Sequence, residues 1–265
     1  MTRIIPAGAG DRYAGMEDGT AMKDRLETAT VGDIVAGDFR TAGVFEQFGI
    51  DFCCGGRRSL SDACRAASAD PADLIRALDA LPPNTADDEV TRLPLDRLVD
   101  HIVARHHGYI RSAIPAIAHH LTKLQEAHGA RHPELARIAA AFERVSVDMQ
   151  QHLVKEEQVV FPYMRDLVDH AREPCGALLS PFGTVENPIR MLEREHRDAA
   201  DELRMIRELT GGYATPVDGC TTYAVCMAEL DQFERDLHRH VHLENNVLFP
   251  RAVALENGSW RDDRG

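Results

Sequence analysis

At 265 residues, with 44% hydrophobic and 28% charged side chains, the chain can bury one large core or two ordinary ones. Its formal charge of −13 argues against nucleic acid as a main partner, and equally against an anionic membrane surface, since both need a basic face. No apolar run approaches the ~18–20 residues of a membrane span, and Met1 to Gly19 has no apolar signal-peptide core, so the expectation is a soluble cytoplasmic protein with no membrane partner.

The expected fold class is all-α. Residues 1–27, with Gly8, Gly10, Gly15 and Gly19, read as a flexible arm. Residues 28–82 read as a small helical domain. Val31, Ile34, Val35 and Phe39 recur at helical spacing, Phe45 and Phe48 follow, and Gly49 stops the segment before Phe52-Cys53-Cys54-Gly55-Gly56. Asp70 and Pro71 form an N-cap and first helical position, and Leu74, Ile75, Leu78 and Leu81 give that helix an apolar face. Pro82-Pro83-Asn84 breaks the chain, and Thr85 to Thr91 is a polar linker. Residues 93–255 then read as four long amphipathic helices: one from about Pro94 that Pro115 should kink or interrupt, one from Pro133 to Asp169, one from Pro188 to Leu209, and one from Thr222 to Leu255. Gly211 to Gly219 is a loop.

An internal repeat organises the second half. His152, Glu156, Val159, Phe161 and Pro162 recur 88 residues later as His240, Glu244, Val247, Phe249 and Pro250. His107 lies 45 residues before His152, and His196 lies 44 before His240. One helix pair, each helix supplying a histidine, occurs twice, as in a four-helix bundle with approximate two-fold symmetry.

Residues at i and i+4 share a helix face. His152 with Glu156, and His240 with Glu244, can therefore each aim an imidazole and a carboxylate at one point. Six ligands are too many for a four-coordinate structural zinc. They suit two metals, each with two histidines, bridged by both glutamates, and imidazole plus carboxylate suits iron, with zinc or manganese as other candidates. Two ferrous ions leave charge for an oxo or hydroxo bridge and open positions for a small molecule. A single helical histidine is more often a surface or satisfied core residue; the duplication is what outweighs that reading. His119, His120, His128, His132 and His170 read as surface residues, and His238 and His242 as facing away from the ligand side. Periodicity alone leaves His106 and His107 both open, since each falls on an apolar face.

There are six cysteines and no CxxC pair, so neither a disulfide framework nor a zinc ribbon is indicated. Cys53 and Cys54 are neighbours, which rarely bond to one another. They are either small buried residues at a turn or an exposed thiol pair. Cys64, Cys175 and Cys226 read as packed thiols. Asp148, four residues before His152, and Glu195, beside His196, are candidates to orient an imidazole, though a solvated helix face is the commoner role.

The sequence resembles the hemerythrin-like (HHE) superfamily, and more closely the di-iron proteins called repair of iron centres. The resemblance runs from about Thr28 through Phe52-Cys53-Cys54-Gly55-Gly56, Asp100-His101-Ile102, Lys155-Glu156-Glu157-Gln158, Glu193-Arg194-Glu195-His196, Cys220-Thr221-Thr222 and Leu243-Glu244-Asn245-Asn246-Val247-Leu248-Phe249-Pro250. It implies a small N-terminal thiol domain and a hemerythrin-like bundle holding two iron ions on His107, His152, Glu156, His196, His240 and Glu244. It settles the first-helix choice on His107; the family usually has an aromatic residue where this chain has His106. Oxygen-carrying hemerythrins differ, with five histidines at an asymmetric site.

The resemblance further implies repair of iron–sulfur clusters damaged by nitric oxide or oxidants, by iron donation, by nitric oxide reduction, or both. Damaged iron–sulfur proteins are then the partners, nitric oxide or dioxygen the small ligand, and Cys53 and Cys54 thiols for redox exchange or iron handling. The rival expectation is a module that binds or senses nitric oxide or dioxygen without turnover. Helical bundles often pair, so a homodimer is the assembly to look for, although no residue points to it.

Overall fold

In the computed structural model the described residues are 28–82, 89–173 and 178–259. The expected arm at 1–27, the break at Pro83-Asn84, most of the linker and Cys175 lie outside them. The chain divides into two compact units, Met1–Arg92 with Asn245–Val247, and Leu93–Glu244 with Leu248–Gly265.

Among its described residues the first unit contains four short α-helices, α1 (Val31–Gly37), α2 (Thr41–Gln47), α3 (Leu60–Ala67) and α4 (Pro71–Asp79), and a 3-10 turn at Glu89–Arg92. Three have side-chain caps. Thr30 accepts from the Asp33 amide, Ser59 from Asp62, and Asp70 from Ala72 and Asp73, which satisfies amides that have no intrahelical partner. Helix α3 is absent from the sequence reading; its signal is the Ser59 cap followed by Leu60, Ala63 and Cys64, all buried. Gly49 takes φ +67°, a conformation glycine adopts without steric cost, and it ends the α2 segment as expected.

Beyond Gly49, the Asp51 carboxylate accepts from the amides of Cys53 and Cys54 at 3.0 and 2.9 Å. At Gly55 a Cβ would lie 2.6 Å from the Asp51 carbonyl, so the turn needs glycine there. Asn245 and Asn246 donate to the carbonyls of Cys53 and Phe52 within the same unit.

The second unit is built on four long helices. Helix α5 covers 95–128, α6 covers 134–172, α7 is Glu186–Leu209, and α8 covers 221–256. Leu98, Ile110, Ile117, Phe142, Phe161, Leu192, Leu203, Phe233 and Phe249 fill the interior between them. Helix α6 packs chiefly on α7, and α5 on α8 and α6. Pro115 does not interrupt α5, contrary to expectation. It is exposed, so the carbonyl it leaves without a helical partner can bond water.

Three of these helices change pitch midway. Ile102–His107, Glu156–Val160 and Glu244–Leu248 are π-helical segments. Pro162 and Pro250 each stand in the first turn after such a segment, where a missing N–H is tolerated. Periodicity reading cannot find a π segment, because the apolar stripe shifts by one residue without breaking. Such segments concentrate at functional sites.

Candidate metal centre

The three π segments mark one place in the bundle. Ile102–His107 ends on His107; the other two begin on Glu156 and Glu244, each one turn after His152 and His240. Helix α7 contributes His196. All six side chains are fully buried, at 0% exposure.

Their ligand atoms form two groups. His107, Glu156, His240 and Glu244 offer one set within 4.8 Å of one another, and His152, Glu156, His196 and Glu244 offer the other. Each group takes two histidines, and both glutamates belong to both. His107 Nε2 lies 3.3 Å from Glu156 Oε2 and His152 Nε2 lies 3.2 Å from Glu156 Oε1. His196 Nε2 and His240 Nε2 lie 3.1 and 2.8 Å from the two oxygens of Glu244.

These distances are short, yet both Glu156 oxygens, Glu244 Oε2 and His107 Nε2 lack an aligned hydrogen bond. The nitrogens of His152 and His196 face each other at 3.0 Å. Buried carboxylates with unsatisfied oxygens are costly, and lone pairs that converge without pairing suit a cation at their centre. The residues fit a pair of metal ions.

Electrostatics agree. Burial opposes protonation of His107, but the Glu156 and Glu244 carboxylates, 3.3 and 4.0 Å from its Nε2, outweigh it and raise its pKa to about 10. His152 is likewise opposed by burial and raised to about 10 by Glu156 and Glu195. Burial pushes Glu244 up, yet His240, His107 and His196 hold it well below the usual carboxylate range. The carboxylates therefore favour a positive charge at the centre of the site, supplied by protons on the imidazoles or by divalent ions in their place.

A further ring of side chains fixes the imidazoles. His107 Nδ1–H donates to Glu157 Oε1 at 2.6 Å, and Arg111 holds that same oxygen at 2.9 Å. His152 Nδ1–H donates to Glu195 Oε2 at 2.9 Å, and Lys155 pairs with the other Glu195 oxygen. Hydrogen bonding from His152 is the main reason Glu195 falls to about 2. Phe161 stacks on His107, with ring centroids 5.8 Å apart, and Phe249 on His196, at 6.2 Å and 2°. The repeated Phe therefore covers the lone histidine of the other helix in its pair. Symmetry breaks at Asn245, which follows Glu244 where the first copy has Glu157, and at His106, which precedes His107 where the second copy has Glu195; among the described residues His240 Nδ1 has no hydrogen-bond partner.

Of the residues singled out in sequence, all six expected ligands come together. His106 does not join them; its Nδ1–H donates to Asp236 Oδ2 at 3.1 Å. Glu195 reaches an imidazole, that of His152 rather than its neighbour His196, and Asp148 reaches none among the described residues. Glu157 was legible only as a letter in a motif. His128 is buried, a correction to its surface reading, because it packs edge-on against Tyr223. His242 is buried and outside both ligand groups. Cys53 and Cys54 are close, with sulfurs 3.9 Å apart, but they are not an exposed pair: Cys53 is 4% exposed and only Cys54 is part-exposed. The neighbouring Cys54 and burial both raise the Cys53 thiol.

Comparison with known proteins places these features. Residues 98–252 match the hemerythrin HHE cation binding domain, and residues 27–82 match ScdA_N, a domain of unknown function. A probable iron–sulfur cluster repair protein of Haemophilus influenzae is 30% identical, over 79% of this chain and 90% of the relative. The iron–sulfur cluster repair protein YtfE of Musicola paradisiaca is 31% identical, over 86% of this chain and 97% of the relative. That of Salmonella paratyphi B is 30% identical, over 85% and 97%.

Proposed function

The chain belongs to the hemerythrin HHE cation-binding family, alongside relatives named for iron–sulfur cluster repair, and from that premise we propose that it repairs iron–sulfur clusters damaged by nitric oxide or oxidants, using a buried di-iron centre. The observation that supports this most is the pair of four-residue groups sharing both glutamates. In this reading His107 and His240 would hold one iron and His152 and His196 the other, with Glu156 and Glu244 available to both.

Imidazole and carboxylate donors without thiolate suit iron. When bound, the ion pair supplies open coordination positions and one-electron redox chemistry for a small ligand such as nitric oxide. The protein's part is positioning and exclusion. Glu157 and Glu195 fix the tautomers of His107 and His152, so that each Nε2 lone pair faces inward. Phe161 and Phe249 close the site against water with rings stacked on His107 and His196. Full burial of the ligand set favours nitric oxide reduction over iron donation. A diatomic needs only a narrow path inward, whereas an ion leaving needs several buried ligands to move. Damaged iron–sulfur proteins are the partner class. Cys54, part-exposed beside buried Cys53, is the thiol placed to meet one of them.

The test is recovery of a 4Fe–4S dehydratase inactivated by nitric oxide, with iron-loaded protein and a thiol reductant. Wild type should restore activity, and the Glu156→Gln, Glu244→Gln variant should not. Equal recovery with both, or none with wild type, would overturn the repair reading. Reversible nitric oxide binding with no recovery and no nitrous oxide would instead indicate a sensing module.

A further inference from the structure

A second reactive cluster lies far from the metal centre. Cys220 stands at the N-cap of α8, twenty residues before His240, or about 30 Å along the helix at 1.5 Å per residue. The residue is exposed and lines a surface groove. His128, the last residue of α5, places Nε2 3.3 Å from that sulfur. The residue is only 7% exposed, and its Nδ1 has no hydrogen-bond partner among the described residues. Placing the proton on Nε2 avoids burying an unsatisfied Nδ1–H, and it aims a donor at the sulfur.

We propose that Cys220 and His128 form a reactive thiolate pair that accepts a low-molecular-weight disulfide, making Cys220 a site of reversible S-thiolation. The hydrogen bond from His128, aided by the Tyr223 and Thr222 amides at the helix start, brings the thiol down to about 7. Six residues on in the same helix, buried Cys226 is instead pushed up to about 12 by burial. His128 is held in place by edge-on contacts with Tyr223 and His132, at 5.6 and 6.3 Å. His132 is itself fixed between Glu134 and Asp218. Beside the sulfur an open groove is lined by Lys123, Leu124, Glu126, Ala127 and Thr222. Lys123 and Glu126 give that lining one charge of each sign, matching a disulfide that carries both, as glutathione disulfide does.

In the step, the Cys220 thiolate attacks one sulfur of the disulfide. A new S–S bond forms, the old one breaks, and the leaving thiolate takes a proton from water, which had received the Cys220 proton. The donor on His128 stabilises the attacking anion. Among the described residues, Lys123 and Glu126 line the groove, His132 and Tyr223 contact the His128 ring, Glu134 and Asp218 bind His132, and Arg131 pairs with Asp218.

The test treats the full-length protein with glutathione disulfide from pH 5.5 to 10 and maps adducts by peptide mass. The expected result is an adduct at Cys220 whose formation rate has a midpoint near pH 7. His128→Ala should react about fivefold more slowly at pH 7, because the lost thiolate fraction outweighs the gain in nucleophilicity of a more basic sulfur. At pH 10 the same variant should match or exceed wild type, a crossing that simple structural damage would not give. A wild-type midpoint near pH 9, adducts at Cys54 with none at Cys220, or equal rates in His128→Ala at pH 7 would overturn the proposal. Should that variant not fold, the wild-type profile decides alone.

Discussion

Glu195 accepts a hydrogen bond from His152 Nδ1 at 2.9 Å while sitting on α7 beside His196, an imidazole of the same ligand group. One carboxylate thus ties the imidazole of α6 to the helix that supplies its partner, and Lys155 anchors its other oxygen. Removing the charge should loosen the ligand without unfolding the bundle. Glu195→Gln and Glu157→Gln are each expected to weaken metal binding about 10- to 100-fold. Competition with a chelator would measure this, and helix content should stay constant. Unchanged affinity in both would mean these contacts do not tune the site.

The stacked phenylalanines should carry stability as well as shielding. Both are fully or almost fully buried, Phe161 at 0% and Phe249 at 1% exposure. Phe161→Ala or Phe249→Ala should each cost about 3–5 kcal/mol in chemical denaturation. Near-equal losses are expected from the repeat; a loss below about 1 kcal/mol in either would show that the site collapses around the cavity.

Metal loading should be proton-linked. In the metal-free protein His107 and His152 are raised to about 10, against an ordinary value of 6.5. The folded state therefore holds extra protons, and this contribution to metal-free stability is full below pH 6.5 and lost as pH rises toward 10. Metal needs those protons removed, so loading at pH 7 should release about two protons per chain. Calorimetric titration in two buffers of different ionisation heat measures the number. The gap in melting temperature between loaded and metal-free protein should widen from pH 6.5 to 9. No proton release would mean that both histidines are neutral before metal enters.

His106 is a structural residue paired with Asp236, both nearly buried, at 4% and 7% exposure. His106→Phe keeps an aromatic ring but enlarges it and strands the carboxylate, so the variant should lose about 1–3 kcal/mol. Adding Asp236→Leu should restore much of it, with metal affinity within about twofold of wild type throughout, since neither residue lies in a ligand group. A large loss of metal in His106→Phe would contradict this division of roles.

Much of the bundle was legible because His-x-x-x-Glu occurs twice with Phe and Pro at matching offsets, and a repeat constrains four helices at once. The all-helical class followed from 3.6-residue periodicity. The π segments were not legible, since hydrophobic spacing tolerates a one-residue slip. Pro115 misled because its effect depends on exposure, which periodicity does not give. Glu157 was hidden because its partner, His107, lies 50 residues away. Burial of His128 and Cys53 depends on what packs over them, and no local pattern encodes that.

The proposed function requires two ions sharing two glutamates, and stoichiometry across variants tests that most directly. Iron per chain would be measured in protein from iron-replete cells for wild type, His240→Ala and Glu156→Gln, Glu244→Gln. The expected values are about two, about one and near zero, because His240 belongs to one group and the glutamates to both. One iron in wild type, or equal iron in all three proteins, would contradict the shared two-metal centre.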